Sequence, residues 1–349
     1  MKRQVLAALL KLGLAASLAV EACAAQVSAD AIVRSPASSS YAAHILAGIS
    51  NQGRTKEQPY VTAGDRTYLI GTQDGNFPEL GQHVPGEMGG LWLPPIKLLY
   101  GFQARIAEMG TGKDVVLSQS AEMVAYPYGS LFRYGEVLED LEVDRFQFSP
   151  DQRPGLIVQY RFRNASNRAR RLRLQWSVKT DLRPGWYADH LGILDGQDAV
   201  AWRPKDMVFI ARDVDNGWFC AWGAVPSAGA RSIEHPQPIQ TRGRGVTATS
   251  EHTITVGAHT TSTLTFVITG STGSQDDAVR IYNDLAEHHA ALLAEKVTRY
   301  RSIIDRARIT IPDQRLQDVY DWVRINMEWL VREVPGVGRD LSGGFMEYP

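Results

Sequence analysis

From Leu156 to Val178 the sequence alternates with a period of two on both sides of a short break. Leu156, Val158, Tyr160 and Phe162 are separated by Ile157, Gln159 and Arg161. Beyond Asn164-Ala165-Ser166-Asn167, Leu172, Leu174, Trp176 and Val178 are separated by Arg173, Gln175 and Ser177. Successive side chains of a strand point to opposite faces, so the pattern demands two strands that each bury one face. The Asn/Ser break predicts a hairpin between them. The arginines on the other face predict a solvated surface that blunts sheet edges, with a ligand-binding arginine patch as the alternative. Comparable runs occur at Leu141 to Phe148, Met207 to Ala211, His252 to Val256 and Thr261 to Ile268. Trp218 to Trp222 is apolar on both faces, as a strand between two layers would be. About ten short strands between Tyr60 and Gly270 predict a mainly β chain, a sandwich of two packed sheets.

Near Ser274 the period becomes helical. Asp276 and Asp277 sit where a helix N-terminus favours acids, and Ile281, Tyr282, Leu285, His289, Leu292, Val297 and Tyr300 recur at helical spacing. Asp313 caps a second helix carrying Leu316, Val319, Tyr320, Val323, Met327 and Leu330, which Pro335-Gly336 is expected to end. The apolar stripe of that helix needs a cover, so the chain reads as the front of a longer one. At the other end, Lys2, Arg3 and the apolar run Leu12 to Val20 precede Ala22-Cys23-Ala24, the layout of a signal peptide cleaved before Ala25. Export to the periplasm or medium is the expectation, with a lipoprotein anchored through Cys23 as the alternative. The divisions are a signal peptide at 1–24, a lead-in at 25–59, the sandwich at 60–272, a linker helix at 273–310 and the start of a helical domain at 311–349.

Several classes are disfavoured. The 349 residues carry a formal net charge of −1, which speaks against a nucleic-acid partner. The leader is too short to span a bilayer, and no later segment is apolar enough. Gly110-Thr111-Gly112-Lys113 lacks the first glycine and the Ser/Thr of a phosphate loop and reads as a turn. Gly336-Val337-Gly338 has Leu341 at the last glycine position of a dinucleotide fingerprint. The eight histidines form no metal-ligand spacing, so neither metal nor cofactor is expected. Cys220 lies in an apolar strand, where a thiol is an inert core residue.

The densest segment is Gly64 to Phe102. A strand leads to Asp74-Gly75, then a long loop carries Gly86-Glu87-Met88-Gly89-Gly90-Leu91-Trp92 and Pro94-Pro95-Ile96-Lys97. Such a loop is costly to order unless it packs or binds something. Gly86, Gly89 and Gly90 allow a tight path with positive φ. Trp92 suits either stacking on a sugar or packing between domains, and Glu87 and Lys97 could hold each other. The plainer reading plugs Trp92 into the sandwich and leaves Lys97 solvated.

Gly64-Asp65-Arg66 with Asp74-Gly75, the Gly86 to Trp92 loop and Pro95-Ile96-Lys97-Leu98-Leu99 resemble the N-terminal β-supersandwich of glucoamylase-like and glycogen-debranching-type glycoside hydrolases. Ile311-Pro312-Asp313, Trp322, Asn326, Trp329-Leu330, Gly338-Arg339 and Glu347-Tyr348-Pro349 are similar to the first helix and loop of the (α/α)6 barrel that follows. The resemblance covers Tyr60 to Pro349. It implies a two-sheet β-supersandwich, a linker helix and the first helix of a truncated (α/α)6 barrel. It further implies a carbohydrate substrate, α-linked glucans or related oligosaccharides, and the barrel domain of the complete chain as the sandwich's partner. Glycoside hydrolysis needs two carboxylates across the scissile bond, ~6.5–9.5 Å apart in inverting enzymes. In the family both lie on later barrel loops, so no catalytic residue is assigned here. Glu87, Trp92, Lys97, Glu347 and Tyr348 are the substrate-binding candidates, although Glu87 and Glu347 read equally as loop-ordering or surface charges. On this basis Trp92→Ala should lower kcat/KM of the complete enzyme and leave melting of the sandwich little changed. The alternative is a non-catalytic β-sandwich that binds carbohydrate or serves as a scaffold.

Overall fold

The computed structural model describes residues 40–53, 56–81, 86–226, 229–234, 237–238, 243–306 and 308–341. The leader, Glu347 and Tyr348 lie outside them. Two large antiparallel sheets face each other. The first has nine strands in the order Ile49–Asn51, Glu122–Tyr126, Gly129–Leu138, Leu141–Phe148, Gly155–Asn164, Thr261–Ser271, Phe219–Val225, Val208–Asp213 and Asp198–Arg203. The second has eight. Its order is Ala230–Ile233, Thr247–Val256, Arg170–Pro184, Ile96–Glu108, Gly90–Leu93, Tyr68–Thr72 and Pro59–Ala63, with Asp114–Val116 beside Ile96–Glu108.

The predicted hairpin does not form. Gly155–Asn164 pairs with Thr261–Ser271 and Leu141–Phe148 in the first sheet, whereas Arg170–Pro184 pairs with Thr247–Val256 and Ile96–Glu108 in the second. The Asn/Ser break carries the chain from one sheet to the other. Asn164 organises that crossing: its side-chain amide donates to the carbonyls of Arg168 and Gly257, and its Oδ1 accepts from the Ser166 N–H at 3.1 Å. Leu156, Val158, Tyr160 and Phe162 therefore face Leu172, Leu174, Trp176 and Val178 across the core. Alternation fixed the buried face and left the partner open. Arg163, Arg171 and Arg173 are solvent-facing as expected, but on interior strands, so they blunt no edge.

Helix α1 (Ser40–Leu46) lies where the lead-in was expected to be irregular, and helix α2 spans Gln275–Arg306. Both pack on the outside of the first sheet. Ala42, Ile45 and Leu46 join Val279, Tyr282, Leu285, Val297 and Tyr300 over Phe148, Ile157, Ile210 and Val267. Helix α3 (Gln314–Leu330) begins at the expected cap, with Asp313 accepting from the N–H groups of Arg315 and Leu316. It ends earlier than Pro335: Val331 turns extended, and Val331–Val334 pairs with Gly338–Leu341 about the Pro335-Gly336 turn. The inward side of α3 holds Gln317, Asp321 and Ile325, while Leu316, Val319, Val323, Met327 and Leu330 are exposed. No described helix is long and apolar enough to cross a membrane.

One buried acid sets a pH signature. Burial pushes Asp198 up to about 8, opposed by its hydrogen bonds to the Thr180 hydroxyl and the Leu182 N–H. An unfolded Asp ionises near ~3.9. Between roughly pH 4 and 8 the unfolded chain thus loses a proton that the folded chain keeps, so this group's contribution to stability falls with rising pH and levels off above 8. Asp198→Asn retains an acceptor for Leu182 and has no proton to lose. Its Tm should gain on that of the unaltered chain from pH 5 to pH 8 in thermal melts; parallel profiles would contradict this.

Candidate functional site

Most of the segment expected as a long loop is strand: Gly90–Leu93 and Ile96–Glu108 pair as neighbours in the second sheet, joined at Pro94-Pro95. Strand register places Tyr68 opposite Trp92, Trp92 opposite Lys97, and Lys97 opposite Arg183. Directly opposed residues share a face. These four side chains therefore form one row across four strands, on the side away from core residues Leu69, Leu91 and Leu98. The Tyr68 and Trp92 rings stack with centroids 6.4 Å apart and an interplanar angle of 9°. The Trp92 indole N–H donates to the Gly89 carbonyl at 3.2 Å. Beyond Tyr68 the Arg332 guanidinium lies 4.4 Å from the ring centroid and donates to the Gly64 carbonyl.

At the other end, Lys97 Nζ lies 2.5 Å from Asp181 Oδ2 and donates to the Gly86 carbonyl at 2.9 Å. Arg183 also donates to Gly86 and lies 3.5 Å from Asp181. Lys97 and Arg183 are 1% and 5% exposed, and Asp181 only 2%. Desolvation pulls the Lys97 pKa down to about 8, with Asp181 opposing. Two buried cations thus share one carboxylate and grip one backbone carbonyl. This arrangement fixes the loop. Buried this deeply, it has no access to a substrate proton.

The backbone agrees. Gly90 has φ +89°, and a Cβ there would lie 2.1 Å from the Leu99 carbonyl, so no larger residue fits. Gly86 also has positive φ; Gly89 does not.

The sequence-derived candidates divide accordingly. Glu87 is buried, at 6% exposed. Lys97 is neither solvated nor held by Glu87 in the expected pair; its ion-pair partner is Asp181. Trp92, at 2% exposed, packs with Ala63 and Tyr68 in a cluster that Trp329 of α3 also packs against, a burial that points to a large stability cost for its removal. Sequence reading missed Asp181 and Arg183. Their signal was a break in the alternation: Lys179-Thr180-Asp181 are three consecutive polar residues in a strand that until Val178 is apolar at every second position, and Arg183 follows Leu182.

Beside this row the Pro94-Pro95 turn borders a cleft of about 730 Å³. Its other walls are Arg66, Gln152-Arg153, the Ser271 to Gly273 approach to α2, and Pro335. Its carboxylates are already engaged: Asp277 pairs with Arg280 at 3.2 Å and Asp284 with Arg153 at 2.8 Å. The Arg280 and Ser274 hydrogen bonds hold Asp277 below the usual carboxylate range. Neither acid is poised for proton transfer. No group of three or more potential metal ligands occurs among the described residues.

No family model matches the sequence, and no curated protein matches it. Solved structures do. A protein described as a kojibiose phosphorylase from the human microbiome aligns with 78% of this chain at TM-score 0.52 and 9% identity. A bacterial glucoamylase complexed with acarbose aligns with 81% at TM-score 0.50 and 8% identity. The fold is glucoamylase-like. The chain spans 39% and 41% of the lengths of those two proteins. At such identities the likeness establishes the shared fold and no residue role.

Proposed function

We propose that this chain is the N-terminal, sandwich-bearing portion of an exported glycoside hydrolase that acts on α-linked glucans or related oligosaccharides. The observation that carries this reading is a glucoamylase-like fold that runs through the sandwich and into the helices. The exposed apolar stripe of α3 supports it. In this reading the stripe packs against further helices of an (α/α)6 barrel, and the acid and base stand on that barrel. The Trp92 row, tied to α3 through Trp329, is then the brace between sandwich and barrel.

The reading makes two demands. The 349-residue chain alone should release no glucose from maltose, isomaltose or glycogen, because two positioned carboxylates are needed. Turnover that survives purification, and is abolished when one carboxylate of this chain becomes its amide, would refute that arrangement. In a secreting host the mature protein should begin at or near Ala25, as read by N-terminal sequencing. An intact Met1 in the exported fraction contradicts export by cleavage, and a lipid on Cys23 would replace it with anchoring.

A further inference from the structure

We infer that the outer face of the second sheet carries a separate binding groove for a neutral oligosaccharide. The groove has a volume of about 370 Å³, within the ~300–1,000 Å³ typical of small-molecule sites. Its floor follows from register. Gly101 lies opposite Lys179, Lys179 opposite Thr247, and on the next pair of the same face Gln103 lies opposite Ser177. Phe77 rests on Gly101, where a Cβ would come within 2.5 Å of the Phe77 side chain, so the missing side chain seats the ring as part of the groove's apolar lining. Tyr100, partly exposed, forms one end, and Lys179 Nζ stands 4.2 Å from its ring centroid.

Among the described residues the lining combines aromatic rings with amide, hydroxyl and ammonium groups and includes no carboxylate, although burial and then the nearby carboxylates of Glu79 and Asp181 raise the Tyr100 pKa. That is the chemistry of a sugar: the C–H face of a pyranose lies on an aromatic ring while its hydroxyls bond to polar groups at the margins. With Lys179 as the single charged residue among the described residues of the lining, the site is poorly suited to a polyanion, which favours several cations or bidentate arginines. The choice of a glucose polymer within the class rests on the proposed function; the class itself rests on the groove.

The test is titration of the whole chain with maltoheptaose, and in parallel with cellohexaose, by calorimetry. Saturable binding is expected, weakened about tenfold by Tyr100→Ala and by Lys179→Met and retained by Tyr100→Phe, with circular dichroism melts showing each variant folded. The absence of saturable binding to either sugar, or binding that Tyr100→Ala and Lys179→Met leave unchanged, overturns the groove. Binding of cellohexaose in preference to maltoheptaose, with the same dependence on Tyr100, upholds the groove and counts against the α-glucan reading.

Discussion

Trp92→Ala should cost the folded chain ~3–5 kcal/mol, the usual penalty for truncating a fully buried large aromatic. Trp92 is 2% exposed and stacks on Tyr68 in a cluster that Trp329 at the end of α3 also packs against. Its loss opens a cavity between the second sheet and the helix, and it also removes the apolar wall beside Lys97, whose ammonium stands 5.9 Å from the indole centroid. For a chain of 349 residues the change corresponds to a fall in Tm of roughly 4–7 °C. Urea unfolding measures it. A loss below ~0.5 kcal/mol, the level of ordinary surface substitutions, would mean that Trp92 is exposed and that the brace does not exist.

A comparable loss, about 3–5 kcal/mol, is expected from Asp181→Ala, for an electrostatic reason. It leaves Lys97 and Arg183 buried side by side, with the Gly86 carbonyl as their shared acceptor. Lys97→Met should cost less, because Asp181 keeps Arg183. The pH dependence provides a second check. The folded-state pKa of Lys97, about 8, lies below the 10.5 of an ordinary lysine. Through that window the folded chain releases a proton that the unfolded chain retains, so the lysine's contribution to stability rises with pH. Removing Asp181 lowers the folded-state pKa further, so the deficit of Asp181→Ala should shrink from pH 7 to pH 9. A deficit that stays constant or grows would place Lys97 in solvent. A deficit under ~1 kcal/mol at every pH would reduce the cluster to a surface ion pair.

The strands and their buried faces were legible because a period of two is a local property of the chain. The pairing was not. Leu156 to Phe162 and Leu172 to Val178 show the same alternation whether they bond side by side or face each other across a core, and the five residues after Asn164 permit both. Helix α3 was legible from its cap and stripe. Its end was not, since Val331 to Val334 continue an apolar pattern while their backbone is extended. In the candidate site Trp92 and Lys97 stood out as unusual residues in a glycine-rich loop. Asp181 and Arg183 did not, because a buried ion cluster depends on register between strands distant in sequence. Arg145 makes the same point. It is 1% exposed, its guanidinium lies 4.1 Å from the Phe132 ring centroid, and it donates to the Gly75 carbonyl, yet in the sequence it is one more polar residue of an alternating strand.

The account stands most directly on hydrolysis by a longer protein. On the proposed reading, a longer protein in which this chain is followed by a helical barrel should be assayed for glucose release from maltose, isomaltose and glycogen, beside the 349-residue chain. Release by the extended protein and none by the shorter one is the predicted result. Several hundred further residues that fold onto α3 and still cleave no α-glucoside would contradict it.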